Sequence, residues 1–125
     1  VAAIQALSDG GVDFAFDTFG HKITTEQAYK STRKGGTTVV VGLAPDGMGA
    51  DIPLVDLVRN QKTLVGSYYG SASPHETFGK LLEFYRQGRI DVGGMVTRKY
   101  KLEEINEAYD ALARGEDGRG VIVFD

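Results

Sequence analysis

Three short runs of this chain carry apolar residues with little polar alternation, and each leads to a glycine: Val12 to Asp17 before Gly20, Thr37 to Val41 before Gly42, and Thr63 to Tyr69 before Gly70. Their β-branched and aromatic content predicts strands. The middle run, Thr37, Thr38, Val39, Val40 and Val41, lacks alternation almost throughout. That suits a strand covered by helices on both faces of a parallel sheet. Between the first two runs, Thr24 and Gln27 have the spacing of a capping box, and Gly35 and Gly36 supply a stop. Strand, helix and strand within about 30 residues make a βαβ unit, for which a right-handed crossover is expected.

Pro45 to Gly49 reads as a loop, and Leu54, Val55, Leu57 and Val58 predict a short buried helix before the third strand. Ser73 and Glu76 again have capping-box spacing, with Pro74 at the first helical position, where its missing amide costs nothing. Phe78, Leu81, Leu82 and Tyr85 mark one apolar face of that helix, which Gly88 ends. A last helix carries Leu102, Ile105, Tyr109 and Leu112, stops at Gly115, and leads to a final strand from Val121 to Phe124. The alternating βα pattern changes near Gly70, so residues 1 to 70 and 71 to 125 are expected to be two structural contributions. The opening stretch from Ala2 to Leu7 reads as the last turns of a helix already under way, and an amino-terminal part is expected before it.

Composition narrows the function classes. Hydrophobic residues at 42% and charged residues at 25% predict a packed globular core rather than disorder. A net charge of -3 gives no basic footprint for nucleic acid. No apolar span of about 18 residues or signal segment is present, so a cytoplasmic protein away from the membrane is expected. With no cysteine and only His21 and His75 as imidazoles, far apart in sequence, a zinc site built wholly from these residues is not expected.

Ligands of open parallel sheets bind beyond the carboxyl ends of the strands. That rule nominates Thr18, Phe19 and Gly20, then Gly42 and Leu43, then Tyr68, Tyr69 and Gly70. The plainer alternative is that the glycines serve tight turns only. No G-x-G-x-x-G or P-loop pattern occurs, so a phosphate-cradling loop is expected upstream or not at all. Asp13 and Asp17 share one side of the first strand, but read better as strand-end and turn residues than as an acid-base pair. His21 stands just past a strand end and reads as a surface histidine; His75 falls in a helix first turn and reads as solvated. Tyr29 has Arg33, not lysine, four residues on, and no G-x-S-x-G motif exists, so no self-sufficient catalytic set is present. Arg119, between Gly118 and Gly120, can pair with a diphosphate or simply be a solvated turn charge.

Read in order, GGVDFAFDTFG (10 to 20), KGGTTVVVGL (34 to 43), LVGSYYGS (64 to 71), LEEINEAYDALARG (102 to 115) and GRGVIVF (118 to 124) resemble the zinc-type medium-chain dehydrogenases, alcohol dehydrogenases among them. The resemblance extends over essentially the whole chain. It implies an α/β fold: the second half of a Rossmann-type doubly wound parallel sheet over residues 1 to 70, and the carboxy-terminal part of a catalytic domain over 71 to 125. By position, Thr18 and Phe19 match residues lining the cofactor cleft. Val41, Gly42 and Leu43 match residues beside the nicotinamide. Leu43 and Tyr68 match substrate-facing residues, and Ser67 and Tyr69 match backbone contacts to the carboxamide. Arg119 matches the arginine that binds the pyrophosphate.

The resemblance implies NAD or NADP as cofactor and a small alcohol or carbonyl substrate. In the full-length parent it also implies zinc, acting as a Lewis acid with ligands outside these 125 residues. It further implies a homodimer or homotetramer built through the 63–69 strand edge, and a segment inactive by itself. The rivals are a zinc-free quinone or enoyl reductase of the same superfamily and a non-catalytic α/β dimerisation module.

Overall fold

A computed structural model describes residues 1–116 and 118–124. The chain divides into two compact units, Val1–Ser73 and the segment from Pro74 onward.

The first unit holds α1 (Ala2–Leu7), β1 (Val12–Asp17), α2 (Lys22–Ser31), β2 (Thr32–Val40), α3 (Leu54–Arg59) and β3 (Thr63–Gly66). Its three strands are parallel and lie in the order β1-β2-β3. Ala15 pairs with Thr38 and Thr38 with Leu64, so these side chains share one sheet face with Asp17 and Val40. Helix α2 packs on this face, where Thr25 bonds Asp17 and Thr38 is fully buried. The Thr38 hydroxyl has no partner among the described residues. The opposite face carries Phe14 and Phe16, each 63% exposed, together with Val39 and Val65. The apolar pattern of β2 predicts cover on both faces; among the described residues of the first unit, only one face is covered.

Helix α2 begins two residues before the expected cap. His21 is its cap: the His21 Nδ1 accepts from the Ile23 amide at 3.2 Å, and the Thr24 hydroxyl accepts from the His21 amide at 3.2 Å. Thr24 thus belongs to a capping box, but as its third helical residue. The glycine pair does not stop this helix either. The chain passes from Ser31 straight into β2, where the Thr32 hydroxyl donates to the Tyr29 carbonyl at 2.7 Å. Gly35, at φ +71°, instead serves a bulge, since the register jumps from Val12↔Thr32 to Phe14↔Thr37. β2 is therefore longer than the 37–41 run at its start, and Val41 lies just past its end. β3 stops at Gly66, short of Tyr69.

Helix α3 forms where its apolar residues predict it, yet Leu54, Val55 and Val58 are exposed rather than buried. One partly buried polar cluster ties it to α2. The Tyr29 hydroxyl donates to Asp56 at 2.8 Å, Asn60 donates to the same carboxylate at 2.6 Å, and the Lys62 ammonium sits 4.7 Å from the Tyr29 ring centroid.

In the second unit, α4 (Pro74–Arg86) ends as expected: Gly88 takes φ +66°, and the Gly88 and Arg89 amides return to the Tyr85 and Phe84 carbonyls. β4 (Arg98–Tyr100) and β5 (Gly120–Ile122) form a parallel pair, connected through α5 (Ile105–Ala113). The final strand is shorter than the Val121–Phe124 run, although the Val123 amide still bonds the Tyr100 carbonyl. The expected packed core is small: Tyr29, Tyr100 and Ala111 are the buried hydrophobic residues among those described. The apolar faces of α3 and α4 and the Phe14–Phe16 side of the sheet stay largely open to solvent. No helix among the described residues is long and apolar enough to cross a membrane.

Burial, then the bond to Asp56, pushes the Tyr29 hydroxyl up to about 12 from its ordinary 10.0. A raised folded-state value favours the protonated folded form, so this contribution is complete below pH 10 and lost as pH rises toward 12. Urea unfolding is expected to show this alkaline loss in the wild type and not in Tyr29→Phe.

Candidate functional site

The carboxyl ends of β1, β2 and β3 lie side by side. The Asp17 carbonyl accepts from both the Val41 amide (2.8 Å) and the Gly42 amide (2.9 Å), and the Val40 carbonyl accepts from the Ser67 amide at 2.9 Å. The nominated residues therefore follow three adjacent strand ends: Thr18 and Phe19 with Gly20, Val41 and Gly42 with Leu43, Ser67 to Tyr69 beyond β3. Among the described residues, the Thr18 and Leu43 amides find no acceptor.

Asp17 organises this edge. It is 3% exposed, and its Oδ1 accepts from the Phe19 amide (3.1 Å) and the Gly20 amide (3.2 Å), while its Oδ2 accepts from the Thr25 hydroxyl at 2.6 Å. Burial pushes the carboxyl up, but the bonds from Thr25, Gly20 and Phe19 outweigh it and bring it below its ordinary value, so it is ionised at neutral pH. Asp17 is the strand-end and turn residue expected, and its bond to Thr25 of α2 adds to that role. An aspartate followed by a glycine three residues on is a turn signal that bears on it.

The two glycines of the edge are in backbone contact. A Cβ on Gly20 would stand 2.4 Å from the Gly42 carbonyl carbon, and one on Gly42 would stand 2.2 Å from the Gly20 nitrogen. These glycines are thus required by the close approach of the two loops, whatever turns they also serve. Above them Phe19 (73% exposed) and Leu43 (83% exposed) project into solvent, and Val41 is exposed as well.

Beyond β3 the backbone becomes unusual. Tyr69, Gly70 and Ser71 all take positive φ (+49°, +72° and +54°), a conformation costing a non-glycine residue about 1–2 kcal/mol. Tyr68 and Tyr69 are exposed and meet edge to face, ring centroids 4.5 Å apart. Because the Ser67 amide is taken by Val40, this residue has its carbonyl, not its amide, to offer a ligand.

Arg119 belongs to the second unit. Its amide donates to the Thr97 hydroxyl at 3.0 Å and its carbonyl accepts from the Thr97 amide at 3.0 Å, which fixes the turn. The residue borders a cavity of about 400 Å³ with Ile105, Tyr109, Leu112 and Ile122. Its guanidinium has no acceptor among the described residues. His21 acts as a helix cap, and His75 is exposed in the first turn of α4. Among the described residues no three His, Asp or Glu side chains converge as a metal site would require.

Residues 1–87 match the sequence profile of a family described as zinc-binding dehydrogenase. The chain belongs to the zinc-binding dehydrogenase family. It is 37% identical over 122 residues to a geraniol dehydrogenase of Carpoglyphus lactis, covering 96% of this chain and 32% of that protein. It is 34% identical to a class-3 alcohol dehydrogenase of Cereibacter sphaeroides, over 92% of this chain and 31% of that one. The crystal structure of benzyl alcohol dehydrogenase from Acinetobacter calcoaceticus superposes with a TM-score of 0.90 at 31% identity, over 99% of this chain and 34% of that one. This zinc-binding dehydrogenase chain therefore spans about a third of the length of the curated relatives it matches. Zinc itself has no ligand set among the described residues.

The close glycine contact gives a direct check. Gly42→Ala is expected to lower stability in urea by about 2 kcal/mol or more, as overpacking does. Gly47→Ala, at φ +81° with nothing within 4 Å, is expected to cost only about 1 kcal/mol from its backbone conformation.

Proposed function

We propose that this chain forms the nicotinamide-side wall of the cofactor cleft in an NAD(P)-dependent alcohol dehydrogenase. The reading rests above all on the row of three parallel strand ends, which presents unpaired backbone donors beside exposed Phe19, Leu43 and Tyr68. Residues 1 to 70 are assigned to the nucleotide-binding domain and 71 to 125 to the catalytic domain.

In this reading Thr18 and Phe19 line one side of the cleft, and Val41, Gly42 and Leu43 lie beside the nicotinamide. The Ser67 carbonyl and the Tyr69 backbone hold the carboxamide, and Arg119 pairs with the pyrophosphate through its fork of N–H donors. Leu43 and Tyr68 face the substrate, a small alcohol or its carbonyl product, and exclude water from it. Bound nicotinamide supplies the hydride acceptor or donor. Zinc, the alcohol-polarising group of the family, takes its ligands from outside these residues.

Assembly follows from the sheet edge. All four residues of β3 are exposed, and an unpaired edge strand is a template for a second chain. A homodimer through β3 is the simplest symmetric outcome.

Titration of NADH and NADPH into the chain, followed by nicotinamide fluorescence, is expected to saturate. Arg119→Ala is expected to weaken binding about tenfold or more, the loss of a charge-assisted pair. Saturation unchanged by the substitution contradicts the role of Arg119, and no binding of either dinucleotide contradicts the cofactor reading. Light scattering on the same sample reads assembly: the mass of one chain at micromolar concentration contradicts the homodimer.

A further inference from the structure

Asp17 is nearly closed to solvent, yet four of the nominated residues on the first two strand ends, Phe19, Gly20, Val41 and Gly42, are bonded to it. Its Oδ1 holds the Phe19 and Gly20 amides, its Oδ2 is held by Thr25 of α2, and its carbonyl holds Val41 and Gly42. An aspartate that only closed a turn would need one oxygen. Here the bond from Thr25 ties the second oxygen to α2, so the acceptor of the loop amides is held against a helix.

The same residue sets a distance. Thr18 and Phe19 stand on one loop and Val41 and Leu43 on the next; the loops meet at Gly20 and Gly42 with no room for a Cβ. A displacement of the first loop is therefore passed to the second. We propose that Asp17 is a positioning residue, setting the spacing between the Thr18–Phe19 and Val41–Leu43 walls and hence their fit to a nicotinamide dinucleotide. This rests on the cofactor reading above.

The isosteric Asp17→Asn keeps one acceptor oxygen and replaces the other with a donor, so either the loop amides or the Thr25 hydroxyl lose their acceptor. Calorimetric titration of NADH into the wild-type and Asp17→Asn chains separates affinity from the fraction of competent protein. Amide exchange at Phe19 and Gly20, measured by NMR without ligand, reads the loop itself. The expected result is a Kd raised about tenfold at unchanged stoichiometry, with faster exchange at both amides. A lower stoichiometry at unchanged Kd shows a purely structural role and overturns the proposal, as does unchanged exchange. If Asp17→Asn does not fold, Thr25→Val, which leaves the Oδ1 bonds in place, is expected to raise Kd a few-fold; an unaltered Kd there overturns it. A wild-type chain that takes up no NADH overturns the cofactor reading. The exchange rates then still decide the hold of Asp17 on the loop, upheld by acceleration and overturned by its absence.

Discussion

The ionised carboxylate of Asp17 accepts three hydrogen bonds in a site 3% open to solvent, and its carbonyl accepts two more. Burying such a charge is costly unless its oxygens are satisfied. The sequence meets that demand from two places, the loop after β1 and Thr25 of α2, while the end of β2 bonds the Asp17 carbonyl. Strand order, helix placement and the row of strand ends all meet at this one residue. A neutral or longer side chain there would relax the contacts that hold the first two strand-end loops together.

A second constraint acts through what remains exposed. Helix α2 buries one sheet face, while Phe14, Phe16, the α3 residues Leu54, Val55 and Val58, and the α4 residues Phe78, Leu82 and Tyr85 stay more than half exposed. Contiguous apolar faces of this kind mark surfaces that other protein covers. The polar cluster of Tyr29, Asp56, Asn60 and Lys62 ties α3 and the residues after it to α2.

Much of the architecture was legible from local pattern. The strand β1, the helices α3 and α4 and the glycine stops at Gly88 and Gly115 follow from apolar spacing and turn chemistry, and the residues after the three strands come together as the carboxyl-end rule requires. Other features depend on partners distant in sequence. The glycine pair at 35 and 36 looks the same as a helix stop or as a strand bulge; the pairing of β2 with β1 decides for the bulge. His21 is a rare cap whose role depends on a reciprocal bond from its own amide to Thr24. The expected burial of α3 failed because apolar spacing reports a face that can be covered, not what covers it. Asp17 was visible as a strand-end acid, but its reach to Thr25 and to the β2 end belongs to tertiary structure.

A nicotinamide dinucleotide that meets this chain along the carboxyl ends of β1, β2 and β3 must perturb those ends, and backbone amide shifts during NADH titration read this site by site. The largest changes are expected at Thr18, Phe19, Val41 to Leu43 and Ser67 to Tyr69, with little change along α3 or around Val92 and Val96. Changes centred on those apolar faces, with the strand ends unmoved, would contradict this placement.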